Sequence, residues 1–414
     1  MSWRVTWCDE SSGDDHPIQG RDAPLADDVV DLIKEILQGQ ASDISITKRA
    51  PARDLGGVPF PEMIKALEKR EVVPFLGAGV PFSARPAGVE WHKGAQFLPS
   101  GAELARYLAF LSNLPIWNIR DADNLARVAS YYTITNPGAD LADELRTIFD
   151  AGKPTVVHEM FAEPILHPML LVTTNYDTLM EQALDARGIK YDTVIHCTDI
   201  GHRGSVMVKR HGTEQSEYIT PTDFYADLKT TTVLYKMHGS ISRSGTSPQT
   251  GASVNFVITE EDYVAFLSKL SSAPPVVPPL FRSHFQRSSF LFLGYSLEDW
   301  NVRVILDSLN DVMSDDPSGA RRPRGGDKMA PTSTDEAYGD PLAPPPSRVA
   351  EALALESSRG GGNIPRRRHW AIQYQPTSYD IEVWKGRGVV IRNMDLSDFV
   401  VQIRNPNRGL FAKP

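Results

Sequence analysis

Four short stretches of this chain gather the groups needed to hold a diphosphate-bearing ligand and move a proton. They are Gly77-Ala78-Gly79-Val80, Thr174-Asn175-Tyr176-Asp177, His238-Gly239 and Gly294-Tyr295-Ser296. Gly77 and Gly79 permit a tight turn, and without Cβ atoms they let backbone N–H groups approach a diphosphate. The same pair also reads as a plain strand-to-helix turn, with Pro81 suited to the helical turn that follows. Asn175 offers an amide to a crevice or satisfies its own turn. Asp177 offers a carboxylate or caps the helix after it. His238 carries an imidazole that titrates near neutrality and can act as general base; alone, it reads equally as a structural histidine. Gly294 allows close approach. Ser296 supplies a hydroxyl for a ribose or phosphate, at capping-box spacing from Asp299.

The elements that must position these groups are apolar runs. They cover Val72 to Leu76, Met169 to Thr174, Val233 to Met237, Val254 to Ile258, Phe290 to Leu293, Trp370 to Tyr374 and Val389 to Arg392. They are continuous rather than alternating, as in strands covered on both faces. Helical patterns separate most of them, including Asp177 to Arg187 and Leu297 to Leu309. This alternation predicts an α/β fold: a doubly wound, mainly parallel, Rossmann-like sheet with right-handed crossovers. In such sheets ligands bind outside the C-terminal strand ends, where the strand order reverses. Each of the four stretches stands at such an end, so one shared crevice is expected. Thr259 and Asp262 repeat the capping spacing before Tyr263 and Phe266 and are read as structural.

In this order, the four stretches resemble the NAD-site motifs of the sirtuin superfamily. More narrowly, they resemble the bacterial sirtuin-like domain of antiphage defence proteins, where the Thr-Thr-Asn-Tyr-Asp form seen at 173–177 is typical. The similarity runs from about Pro59 to Ile403 and includes the Ile-Thr-Glu-Glu-Asp-Tyr stretch at 258–263. It implies a sirtuin-like fold with inserted helices, and an NAD glycohydrolase that cleaves the nicotinamide–ribose bond. Such an enzyme is a latent effector that depletes NAD on phage infection. By resemblance, Gly77, Ala78, Gly79 and Val80 line the dinucleotide phosphates. Asn175 and Asp177 hold the nicotinamide and its ribose, with Asn175 also positioning water, and His238 is the base. Gly294 and Ser296 meet the adenosine half, and Thr174, Tyr176, Gly239 and Tyr295 complete the NAD-binding set. NAD is then substrate, and no metal is expected.

Two departures separate the chain from deacylating sirtuins. Their four-cysteine zinc module cannot be built from Cys8 and Cys197. Pro81-Phe82-Ser83-Ala84-Arg85 also replaces their Ile-Pro-Asp-Phe-Arg run. Hydrolysis is therefore favoured over the alternatives, an NAD-dependent protein deacylase or a non-catalytic NAD-binding sensor subunit. The resemblance further implies control by homo-oligomerisation or by a regulatory partner such as a HerA-type ATPase or a short Argonaute.

With 414 residues, 41% hydrophobic and 23% charged, the chain suits one large α/β domain with extensions. Its net charge of -9 argues against general binding to nucleic-acid backbones. Two cysteines suit a reducing compartment. Neither a signal peptide nor a membrane span is read, so a cytoplasmic protein is expected. Residues 1–55 read as a partly disordered N-terminal extension with a helix from Ala26 to Leu37. Residues 56–405 form the sirtuin-like domain, interrupted at 315–368 by a Pro-, Gly- and Arg-rich insertion expected to be disordered, and 406–414 form a tail. His196, Cys197, Asp199, His202 and His211 match no zinc template and read as a polar loop. Arg85 reads as a surface arginine. No Gly-x-Ser-x-Gly elbow supports a serine nucleophile.

Overall fold

The computed structural model describes residues 2–9, 15–21, 41–49, 60–86, 88–115, 122–136, 141–198, 202–241, 255–270, 276–295 and 369–405. The expected helices at Ala26 to Leu37 and Leu297 to Leu309, Ser296, the 315–368 insertion and the 406–414 tail lie outside the described residues. Near the N-terminus, β1 (Ser2–Asp9), β2 (Asp15–Arg21) and β3 (Ala41–Arg49) form an antiparallel sheet in the order β2-β1-β3. The sequence reading placed no strand there.

The main sheet is built from the apolar runs. Its strands are β4 (Val72–Leu76), β5 (Leu170–Thr173), β6 (Tyr191–His196), β7 (Val206–Lys209), β8 (Ser216–Ile219), β9 (Thr232–Lys236), β12 (Ser289–Leu293), β13 (His369–Gln373) and β14 (Val389–Asn393). Between β9 and β12 in the chain, β10 (Gly239–Ser240) and β11 (Asn255–Phe256) pair only with each other. The nine strands run in the order β14-β13-β12-β4-β5-β9-β6-β7-β8. All pairs from β14 to β6 are parallel, and β7 and β8 close the edge antiparallel. Pro74, which cannot donate a ladder bond, sits where β4 pairs β12 alone; the register with β5 starts at Phe75.

Alternate residues of these strands feed two cores, one on each face. Val73, Phe75, Val172, Val233, Tyr235, Phe290 and Phe292 pack beneath α7 (Glu260–Leu270), α8 (Pro279–Phe285) and α9 (Ser378–Gly386). Leu76, Leu171, Leu234, Leu291 and Leu293 meet α1 (Phe60–Glu68), α5 (Val156–Phe161), α6 (Leu179–Ala186) and α10 (Leu396–Ile403). In α1 the buried residues Phe60, Met63, Ile64 and Leu67 recur at helical spacing, which gives one apolar stripe to lay on the sheet. Burial on both faces explains why the central parallel strands β4, β5 and β12 are almost wholly apolar.

The long β4-to-β5 connection carries α2 (Gly101–Leu111), α3 (Leu125–Thr135) and α4 (Leu141–Phe149). These helices share a third core with Tyr176, Ile241, Phe256 and Ile258, residues that follow strand ends. The Val254 to Ile258 run was expected as a strand of the main sheet. Phe256 and Ile258 instead turn into this third core while Val257 enters the first, so the run lies across the sheet's end.

Candidate functional site

Strand order reverses at β4: the chain proceeds from it to β5 on one side and returns to β12 on the other. The crevice outside a reversal of this kind is where open parallel sheets bind ligands. The turn leaving β4 is stitched to the turn leaving β12. Gly77 N–H donates to Leu293 O at 2.9 Å, Gly79 N–H to Gly294 O at 2.7 Å and Val80 N–H to Gly77 O at 3.0 Å. A Cβ on Gly77 or Gly79 would lie 2.8 Å from Gly294 O. At Gly294, whose φ is +68°, it would lie 2.4 Å from Val80 N. The glycines are therefore required by the approach of one backbone to another. The amides of Gly77, Gly79 and Val80, expected to face a diphosphate, are committed to the chain's own carbonyls. Ala78 is the exposed residue of the turn.

The β5 exit joins the same constellation. Thr173 Oγ1 donates to Leu76 O at 2.9 Å and accepts from Asn175 N–H at 3.0 Å. Thr174 Oγ1 meets the Tyr295 hydroxyl at 3.1 Å. Asn175, buried, donates from Nδ2 to Gly77 O at 3.0 Å. Three exits are thus tied together through Asn175, Thr174 and Tyr295. Tyr176 plays a different part. Its hydroxyl donates to Val257 O at 2.7 Å and its ring packs edge-on against Phe149 and Phe256, so it anchors the turn to the helical layer.

Asp177 is buried and accepts from Leu179 N–H at 2.9 Å, a turn bond that spans Thr178, the N-cap of α6. Burial pushes its carboxyl above the ordinary range, and the Lys236 ammonium opposes that shift. Lys236, fully buried, donates to the Asp177 carbonyl and to Glu181 Oε1, the latter at 2.7 Å. This brace is a feature the sequence reading passed over. Its signal was a lysine inside the apolar run Val233 to Met237 and carboxylates one helical turn apart at 177 and 181.

The β9 exit is held beside the β5 exit by Met237 N–H to Thr173 O and Ile241 N–H to Tyr176 O, each 2.9 Å. His238 lies between these bonds, followed by Gly239 at φ +95°. Its ring packs edge-on against Tyr263 and Phe266 of α7, with centroids 5.6 and 5.3 Å away. Nε2 is buried without a hydrogen-bond partner. Burial, with a smaller contribution from His196, pushes the imidazole down to about 3, so it is neutral at physiological pH. His196 mirrors it: its ring lies 5.3 Å from Phe266, its Nδ1 is unpartnered and burial lowers it to about 4. Ser296 falls outside the described residues.

Other expectations resolve individually. Thr259 and Asp262 exchange hydrogen bonds of 3.1 Å each way at the start of α7, the expected structural capping box. His202 stacks on Tyr218 at 3.7 Å and the His211 N–H is held by Asp192 at 2.8 Å, so these residues do not converge with His196. Among the described residues no group of three or more His, Cys, Asp or Glu could hold a metal ion. Arg85 departs from the surface reading. It forks onto Glu103 at 2.7 and 2.5 Å with a side chain only 10% exposed. Glu103 also closes the α2 capping box with Ser100. Burial raises the Glu103 carboxyl, but bonds from Arg85 and the Ser100 and Trp91 amides outweigh it and hold the group at about 2.

Parts of the chain are similar to known proteins. A family model described as SIR2-like domain matches residues 169–336. An NAD(+) hydrolase ThsA of Acinetobacter baumannii is 29% identical over 251 residues, 60% of this chain and 41% of that protein. An NAD(+) hydrolase ThsA of Cytobacillus dafuensis is 25% identical over 258 residues, 62% of this chain and 41% of that protein. Defense-associated sirtuin 2 of Bacillus subtilis is 24% identical over 172 residues, 41% of this chain and 13% of that protein. The chain thus matches less than half the length of each of these relatives. The sirtuin-like resemblance is supported by the family model over residues 169–336, and the main sheet is the expected mainly parallel α/β sheet.

Proposed function

We propose that the SIR2-like domain of this chain hydrolyses NAD at the nicotinamide–ribose bond, as a latent effector of bacterial antiphage defence. The observation that carries this reading is the set of hydrogen bonds joining the exits of β4, β5 and β12 through Asn175, Thr174 and Tyr295, with the β9 exit beside them. Three relatives whose names specify NAD hydrolysis or a defence sirtuin support it. Cleavage transfers the bonding pair to nicotinamide and leaves positive charge on the ribose. Fixed amide and carboxylate dipoles around that ring lower the barrier. Asn175 orients the ribose and the attacking water, and Asp177 supplies the nearby negative charge. His238, neutral with an unpartnered Nε2, accepts a hydrogen bond from a ribose hydroxyl or from the water. Water adds at the ribose carbon, giving ADP-ribose and one proton.

Latency follows from the site's own geometry. His238 is 3% exposed and Asn175 8%, so substrate entry requires the surrounding turns to open. Assembly into a homo-oligomer, or a regulatory partner such as a HerA-type ATPase or a short Argonaute, supplies that opening in the cytoplasm. No helix of the described residues is long and apolar enough to cross a membrane. Cellular NAD, measured after expression of the chain with its activator, falls in this account; Asn175→Ala expressed at the same level leaves NAD intact. Equal NAD loss with wild type and Asn175→Ala removes the site from the mechanism.

A further inference from the structure

A second cleft, of about 420 Å³, lies where α6 passes beside β6 and β7. Its size falls in the range of small-molecule sites. None of the residues 77–80, 175–177, 238 or 294–295 lines it, so the proposed hydrolysis leaves it unused. Thr193 of β6 stands directly opposite Lys209 of β7 in the antiparallel register. One wall is acidic, from Glu181 and Asp185 of α6, and the opposite wall brings Lys209 and His211.

The two walls are not matched to each other. Glu181 Oε1 is taken by Lys236 at 2.7 Å, but Oε2 is buried with no hydrogen-bond partner. A buried acceptor left without a hydrogen bond is costly. Across the cleft Lys209 is exposed and forms no ion pair among the described residues. Its neighbour Arg210 is already held by Asp192 at 3.0 Å and Glu217 at 3.5 Å. The cleft therefore presents two carboxylates on one side and, on the other, a cation without an ion pair among the described residues.

We propose that this cleft binds a mononucleotide-sized anion bearing an amino group, with the amine facing the Glu181 and Asp185 carboxylates and the anionic group on Lys209. The site is independent of the NAD reading and is tested by binding alone. Titration calorimetry of the full chain compares CMP and AMP with UMP and IMP, which carry a carbonyl where the amine stands. The amino nucleotides bind at least about 10-fold more tightly, because the carbonyl faces a carboxylate and leaves both acceptors unpaired. Lys209→Glu, at an exposed position, weakens CMP and AMP about 10-fold, while Asn175→Ala retains their binding. Equal affinity for amino and carbonyl partners, or no heat with any of the four at millimolar concentration, overturns the proposal. So does binding lost in Asn175→Ala but kept in Lys209→Glu, which would place the nucleotide in the other crevice.

Discussion

At the scale of single residues, the crevice rests on atoms that are missing as much as on atoms that are present. Gly294 holds φ +68°, and a Cβ there would sit 2.4 Å from Val80 N. Gly294→Ala should therefore cost about 1–3 kcal/mol from backbone strain alone, with overlap adding to it; a thermal midpoint equal to wild type contradicts this. Lys236 carries the opposite lesson, that of a charge which cannot be removed singly. Lys236→Met leaves Glu181 and Asp177 without their shared cation, a loss of about 3–5 kcal/mol for breaking a buried pair. Lys236→Met combined with Glu181→Leu should recover part of it, and a double variant no more stable than the single would show the brace to be irrelevant. The sequence displayed Asn175, Asp177 and His238 plainly because each follows an apolar run. It did not display that the Gly77 and Gly79 amides are internally committed, since that depends on the β12 exit more than 200 residues away.

At the scale of elements, legibility followed burial. The parallel strands β4, β5, β9, β12, β13 and β14 were visible because each contains a run of apolar residues, and in β4, β5 and β12 that run fills nearly the whole strand. β6 was not, because Asp192, Thr193 and His196 interrupt it although all are buried. Asp192 is tolerated there by Arg210 at 3.0 Å and the His211 amide at 2.8 Å, partners from the turn after β7 that the periodicity of β6 cannot reveal. The same reasoning applies to Arg85, whose fork onto Glu103 ties the turn after β4 to the start of α2. The folded-state carboxyl of Glu103 lies at about 2, below its ordinary 4.5. Its stabilising contribution is therefore complete above pH 4.5 and lost as pH falls toward 2. Urea titrations across that interval should show Glu103→Gln less stable than wild type at neutral pH, with the gap closing toward pH 2; a gap that stays constant with pH contradicts the assignment.

At the scale of the whole molecule, two cores flank one sheet and a third, helical core caps its C-terminal edge, which leaves several polar groups sealed inside. His158, His196 and His238 are held neutral by burial, at about 3, 4 and 3 against an ordinary 6.5. Below pH 6.5 the unfolded chain binds protons that the folded chain refuses, so stability is complete above 6.5 and declines as pH falls toward 4 and then 3. Denaturation midpoints that do not move between pH 7.5 and 5 would contradict this burial. The proposed hydrolysis depends on the same closed arrangement, in which four separate strand exits enclose one sugar. The most direct test is the fate of solvent oxygen. Purified protein with its activator is given NAD in heavy-oxygen water, and the products are read by mass spectrometry. Unlabelled nicotinamide and ADP-ribose carrying one heavy oxygen are expected, and neither product should form with Asn175→Ala. Label on nicotinamide mononucleotide or AMP, or products formed equally by Asn175→Ala, would contradict cleavage at this crevice.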